Sequence, residues 1–244
     1  MKTEYILGIP VDVITLSDIM AELPKRLAGQ EKTLYLSINP QIALHASNYP
    51  EVMSLIETAS HRIPDGIGMV KASQQQCGAI KERVTGIELM YQLLEYADEK
   101  SDSLFLYGAK PEVIADTVKV IGNDYPNIKI AGWIDGYTDL SEEEIVESIN
   151  QVKPTFVFVA LGFPRQEQWL ARHYQAIEAR VFQDVGGSFD VISGHVKRSP
   201  NIFIKLHLEW LYRSLSNPKR MYRLLEVPLF MYRSKKWYQK NKKH

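Results

Sequence analysis

Between residues 104 and 185 the chain alternates short, unbroken apolar runs with longer stretches whose apolar positions recur at helical spacing. Residues 104–107 form one such run, ending in Gly108-Ala109-Lys110-Pro111, after which Val113, Ile114, Val118 and Ile121 share a single helical face. Residues 128–131 predict a strand. Ser141 then precedes Glu142, Glu143 and Glu144, an N-cap serine and an acidic first turn suited to the positive end of a helix dipole. Residues 155–161 are apolar on both faces, as a central parallel strand is. The segment Gly162-Phe163-Pro164-Arg165-Gln166-Glu167-Gln168-Trp169 turns into the next helix, with Pro164 expected at its first position. Residues 180–185 predict a further strand closed by Gly186 and Gly187. Repeated strand–helix units predict an α/β fold, a Rossmann-like parallel sheet flanked by helices.

The first hundred residues are more mixed. Strands are expected at 5–9, 33–37 and 62–63, and helices near 17–28, 40–47, 50–59 and 86–99. No repeat, low-complexity tract or flexible linker interrupts the chain, so two regions, 1–100 and 101–194, are expected to pack together with a boundary near residues 100–103. After Gly194 the pattern changes. Ile204, Leu208, Leu211 and Leu215 form a helical stripe, Asn217 and Pro218 break it, and Pro228 is expected to interrupt the segment that follows.

Charge sharpens this last division. The net charge of zero conceals 13 Lys/Arg against two acids, Glu209 and Glu226, in residues 195–244, a balance of +11. The remaining residues carry 16 Lys/Arg against 27 acids, a balance of −11. Region 195–244 is therefore expected to be a helical, basic C-terminal appendage with an anionic partner. Aromatics interleave with six Lys/Arg between Arg233 and Lys243, a composition suited to a membrane interface. At about 1 kcal/mol per cation the electrostatic attraction has a ceiling of roughly 6 kcal/mol, which favours reversible attachment. Nucleic acid is the competing anion, but no recognisable binding motif accompanies the charge.

Composition excludes other classes. A chain of 244 residues, 45% hydrophobic and 24% charged, buries a sizeable core. Its one cysteine, Cys77, forms no internal disulfide and fits a reducing compartment. Residues 1–8 are too short for a secretory signal and contain Glu4, and no apolar run approaches the roughly 20 residues needed to cross a bilayer. These features predict a cytoplasmic protein, peripheral on the inner face of the membrane.

Candidate chemistry gathers where predicted strands end. Gly108, Gly162 and Gly186 each begin a turn at a strand's carboxyl end, the edge where open α/β sheets bind anions at helix N-termini. Such turns suit a nucleotide diphosphate, although a glycine in this position serves backbone geometry more often than a ligand. A Walker A sequence is absent, and Gly66-Ile67-Gly68 does not complete a dinucleotide fingerprint. Asp65, in the turn sequence Pro64-Asp65-Gly66, is either a turn residue or a general base beside a pocket. Asn39 and Gln166 either cap helices or orient sugar hydroxyls. The six histidines lack ligand spacing and no two aspartates are separated by one residue, so neither a metal nor another cofactor is expected. Side-chain cations must then neutralise a departing diphosphate, and Arg83, Arg213, Arg220 and Arg223 are the candidates.

Taken together, Pro64-Asp65-Gly66-Ile67-Gly68, Arg83-Val84-Thr85-Gly86, the 162–169 segment, Gly186-Gly187-Ser188-Phe189-Asp190, and Leu208 to Arg213 followed by Pro218-Lys219-Arg220 resemble the WecG/TagA/CpsF glycosyltransferases in order and spacing. The resemblance spans about residues 5–225. One departure is Ser199 between Arg198 and Pro200, where family members more often carry alanine. The resemblance implies an inverting, metal-independent transferase with a UDP-sugar donor and a polyprenyl-diphosphate-linked sugar acceptor. In the TagA branch these are UDP-N-acetylmannosamine and undecaprenyl-diphosphate N-acetylglucosamine, and the product is the linkage disaccharide of wall teichoic acid. It implies Asp65 as catalytic base, Ser37, Asn39, Arg83 and Gln166 as pocket residues, and Arg213, Arg220 and Arg223 as arginines that complete the site. It further assigns the acceptor and catalysis to 1–100 and the nucleotide sugar to 101–194. A related transferase using another UDP-hexose or the mannosaminuronic acid donor is the alternative, as is a non-catalytic nucleotide-sugar binder. A homo-oligomer is compatible with the sequence and not required by it.

Overall fold

The computed structural model of the chain describes residues 2–197, Pro200, Phe203 and residues 223–241. It opens with a hairpin, β1 (Thr3–Ile6) against β2 (Ile9–Asp12), where a single strand over 5–9 is expected from the sequence. The reversal lies at Leu7 and Gly8, with φ of 56° and 81°, the left-handed pair that a two-residue hairpin turn requires. Asp12, fully buried, then accepts hydrogen bonds from the Arg62 backbone N–H at 2.8 Å and its guanidinium at 2.9 Å. That ion pair fixes the hairpin to the main sheet.

Among the described residues six strands form the main sheet, all parallel: β3 (Thr33–Ile38), β4 (His61–Pro64), β5 (Ser103–Gly108), β6 (Lys129–Ile134), β7 (Phe156–Ala160) and β8 (Val181–Asp184), in the order β4-β3-β8-β7-β5-β6. Residues 1–100 contribute β3 and β4, residues 101–194 contribute the rest, and the two meet where β3 pairs with β8. This is the Rossmann-like α/β sheet expected from the alternating pattern. Strand side chains alternate between two apolar cores. Phe105, Tyr107, Val157 and Val159 enter one; Leu104, Leu106, Phe156 and Phe158 enter the other. The first core lies under helices α2 (Pro40–His45), α3 (Pro50–Thr58), α4 (Ile67–Gln75), α7 (Glu142–Val152) and α8 (Arg165–His173). The second lies under α1 (Leu16–Ala28), α5 (Gly86–Lys100), α6 (Pro111–Asp124) and α9 (Ser188–Ile192).

The expected capping of α7 is present: the Ser141 hydroxyl accepts from the Glu144 N–H at 3.2 Å, and the Glu144 carboxylate accepts from the Ser141 N–H at 2.7 Å. Pro164 is the N-cap of α8 and Arg165 its first residue, one position later than expected. A last helix, α10 (Arg223–Asn241), runs through Pro228 without a break. Pro228 is exposed, so the carbonyl its missing N–H leaves unbonded is within reach of water. The preceding stripe from Ile204 to Leu215 and the break at Asn217-Pro218 lie outside the described residues. Among the described residues no helix is long and apolar enough to cross a membrane.

Candidate active site

The carboxyl ends of β3, β4, β7 and β8 open into one cavity of about 300 Å³. Ser37, Asn39, Asp65, Arg83 and Gln166, dispersed over 130 positions of sequence, all line it. The parallel sheet causes this convergence, because every strand delivers its last residues to the same edge.

Each side chain is held by its own local structure. Asn39 is the N-cap of α2, and its side-chain oxygen accepts from the Ile42 N–H at 3.0 Å, so it both caps the helix and faces the cavity. Asp65 follows β4, with its N–H donating to the Ile38 carbonyl at 2.9 Å, and Gly66 behind it adopts φ 93°, which a side chain would oppose. The Val84 N–H donates to the Pro64 carbonyl at 3.1 Å, drawing the loop that carries Arg83 against the end of β4. Thr85 then caps α5, and the Arg83 guanidinium meets Glu88 of that helix at 3.2 Å. Gln166 is used at both ends of its amide. Its carbonyl oxygen accepts from the Gly162 and Gly186 N–H groups, each at 3.2 Å, and its NH₂ donates to Glu167 at 2.9 Å and Asp184 at 3.4 Å.

Gly162 and the Gly186-Gly187 pair border the cavity, two of the three glycine turns singled out in the sequence. The third, Gly108, stands one strand further along the edge. There a β-carbon would fall 2.4 Å from the Ala160 carbonyl oxygen, so this glycine serves close packing of β5 and β7.

Sequence reasoning missed Glu167, Asp184 and Glu226, which also line the cavity. Asp184 ends the strand Val181-Phe182-Gln183-Asp184, where Gln183 is polar too, so its acid carried no signal of its own. Its carboxylate accepts from the Ser37 N–H at 2.8 Å across the β3–β8 seam. Burial first, then the neighbouring Glu167 charge, push the Asp184 carboxyl well above the usual range, and burial raises Glu167 to about 7. Glu226 comes from α10 and meets His45 of α2 at 3.0 Å.

α10 thus forms one wall of the site. Phe230, completely buried, seats it on the first core against Gly68, and burying a phenyl ring this fully is worth about 2–3 kcal/mol. The Gln76 amide donates to Ser234 at 3.2 Å further along. The opposite face of α10 exposes Leu225, Leu229 and Tyr232 beside Arg233, Lys235 and Lys236. Arg223 is the first residue of this helix, three positions before Glu226, whereas Arg213 and Arg220 lie outside the described residues.

The arrangement offers a carboxylate beside polar pocket groups and helix N-termini, the equipment for deprotonating a hydroxyl next to an anionic leaving group. Residues 4–244 match the model of the Glycosyl transferase WecG/TagA/CpsF family. The chain is 38% identical over 240 residues to the N-acetylglucosaminyldiphosphoundecaprenol N-acetyl-beta-D-mannosaminyltransferase of Staphylococcus aureus, covering 98% of this chain and 94% of that one. It is also 38% identical over 217 residues to the protein of the same name from Bacillus spizizenii, covering 88% and 84%.

Proposed function

The chain belongs to the WecG/TagA/CpsF glycosyltransferase family, and from that premise we propose that it moves N-acetylmannosamine from UDP-N-acetylmannosamine to N-acetylglucosamine carried on undecaprenyl diphosphate, a step in wall teichoic acid assembly. The observation that carries this reading is the near full-length similarity to two transferases named for that reaction, with Asp65 standing at the cavity edge.

In the proposed reaction the acceptor hydroxyl oxygen bonds to the donor's anomeric carbon from the face opposite UDP. The anomeric carbon–phosphate oxygen bond breaks, its electron pair leaves with UDP, and the hydroxyl proton passes to the Asp65 carboxylate. Configuration at the anomeric carbon inverts. Arg83 of the cavity, together with Arg213, Arg220 and Arg223, meets the charge that grows on the leaving diphosphate. Ser37, Asn39 and Gln166 shape the polar wall against which the sugars rest.

The outer face of α10 supports a peripheral position at the inner membrane surface. Leu225, Leu229 and Tyr232 are 76%, 40% and 65% exposed, and the cations beside them suit anionic headgroups. Glu226 on its inner face lines the cavity, which supports a reading in which the cavity opens toward the lipid that carries the acceptor. Incubating the protein with UDP-N-acetylmannosamine and a polyprenyl-diphosphate N-acetylglucosamine, then weighing the lipid product, tests the reading. One added N-acetylhexosamine is expected from this donor and none from UDP-glucose. Equal transfer from both, or no transfer, refutes the donor assignment.

A further inference from the structure

The cavity wall itself holds an arrangement for which acid–base transfer by Asp65 has no use. Glu167 is fully buried and Asp184 nearly so, and both carboxyls receive hydrogen bonds from the one NH₂ group of Gln166. The amide cannot turn round, because its carbonyl is held by the Gly162 and Gly186 N–H groups. Glu167 Oε2 is buried without a hydrogen-bond partner, and among the described residues no cation pairs with either carboxyl. Two full negative charges, almost wholly buried and facing one neutral amide, are not sustained, so one proton stays with the pair.

Building on the functional reading above, we propose that Glu167 and Asp184 carry one proton between them and act as positioning residues for the transfer, clamping through Gln166 the Gly162 and Gly186 turns that border the donor diphosphate. The clamp joins three elements: Gln166 and Glu167 start α8, Asp184 ends β8, and its other oxygen holds the Ser37 N–H of β3. While one proton is present the pair holds a single charge and the turns keep their backbone fixed at the border of the cavity. When it leaves, a second negative charge appears in the wall that an anionic donor must approach.

The charged groups around the clamp are Asp65 after β4, Arg83 with Glu88 of α5, Glu226 of α10 with His45 of α2, and Glu51 of α3, which accepts from Gln168 of α8. Asp65 raises Asp184 further, and burial is the leading cause for both members of the pair. Both carboxyls are thereby held above the usual carboxylate range, Glu167 at about 7 and Asp184 well above its own ordinary value.

Glu167→Gln is the informative variant. Its carbonyl still accepts from Gln166 and its new NH₂ takes the place of the oxygen that has no partner. Asp184→Asn, in contrast, sets an NH₂ against the NH₂ of Gln166 and raises the donor KM at every pH. Infrared difference spectra of the wild-type protein against Glu167→Gln read the proton without any substrate. The carbonyl stretch of a protonated carboxyl is expected in the wild type at pH values where an exposed carboxyl has already ionised, and is expected to lose the Glu167 contribution in the variant. The wild-type KM for UDP-N-acetylmannosamine should rise roughly two- to thirtyfold between about pH 6 and pH 8.5, the effect of one charge about 8 Å away at an effective dielectric of 80 to 20. In Glu167→Gln that slope disappears. Absence of the infrared band, or an unchanged slope in the variant, overturns the proposal. A wild type that takes no donor at any pH instead overturns the functional reading, while the infrared band still decides the proton.

Discussion

Glu167 and Glu142 respond to pH in opposite senses because one is buried with no cation beside it among the described residues and the other is paired with Arg172. The Glu167 carboxyl is raised by burial from an ordinary 4.5 to about 7. The folded protein therefore binds a proton between those values that the unfolded chain has released. The resulting penalty is absent below pH 4.5, grows as pH rises and is complete above 7. Between pH 5 and pH 8 it amounts to about 2–3 kcal/mol. Glu167→Gln abolishes it, so the variant should gain that much stability relative to wild type at pH 8 and much less at pH 5, read from urea unfolding at the two pH values. An identical difference at both would show that Glu167 is ionised throughout. Glu142 is lowered to about 2, first by its hydrogen bond from Arg172 and also by His173. Its contribution is present above pH 4.5 and is lost as pH falls through 2, and its exposure limits it to about 1 kcal/mol or less.

At the scale of elements, the close approach of α2, α4 and α10 depends on a single absent side chain. A β-carbon at Gly68 would fall 2.7 Å from Cγ of Pro40, a ring atom that cannot swing aside, and 3.6 Å from the Phe230 ring. Gly68→Ala should cost about 1–3 kcal/mol by overpacking and lower Tm by several degrees. Because α10 is the outermost of the three, the loss should appear as faster proteolysis within residues 223–241. An unaltered Tm and cleavage rate would show that the contact is slack. This junction was also where the sequence was least legible. Strands 104–107 and 155–161 could be read because they are apolar on both faces, a property local to each run. Helix α4 could not, since Ile67-Gly68-Met69-Val70-Lys71 follows a turn sequence and gains its burial from α2 and from α10, over 150 residues away. The hairpin at Leu7-Gly8 was hidden by an apolar run that continues through the turn, and Pro228 is tolerated because its side of α10 faces outward.

Over the whole molecule, the parallel sheet turns scattered polar residues into one site. Asn39, Asp65 and Gln166 each had a capping or turn role open to them in the sequence, and only their arrival at a common edge separates a pocket from three unrelated turns. Asn39 in fact caps a helix and lines the cavity at once. Asp184 and Glu167 stayed illegible because their character comes from each other and from Ser37 across the β3–β8 seam, relations that spacing along the chain does not encode. The division of charge at residue 195 was legible as composition, and α10 gives part of it a form: an inner face that closes the cavity and an outer face with exposed Leu225, Leu229 and Tyr232 among cations. An acceptor tethered in a membrane would then meet Asp65 beneath this helix. The most direct test is the rate of N-acetylhexosamine transfer to the lipid acceptor by Asp65→Asn beside wild type, with Tm measured on both. Loss of about 10²–10⁴-fold in kcat at an unchanged Tm is the predicted result; a variant that folds normally and turns over at the wild-type rate would contradict the account.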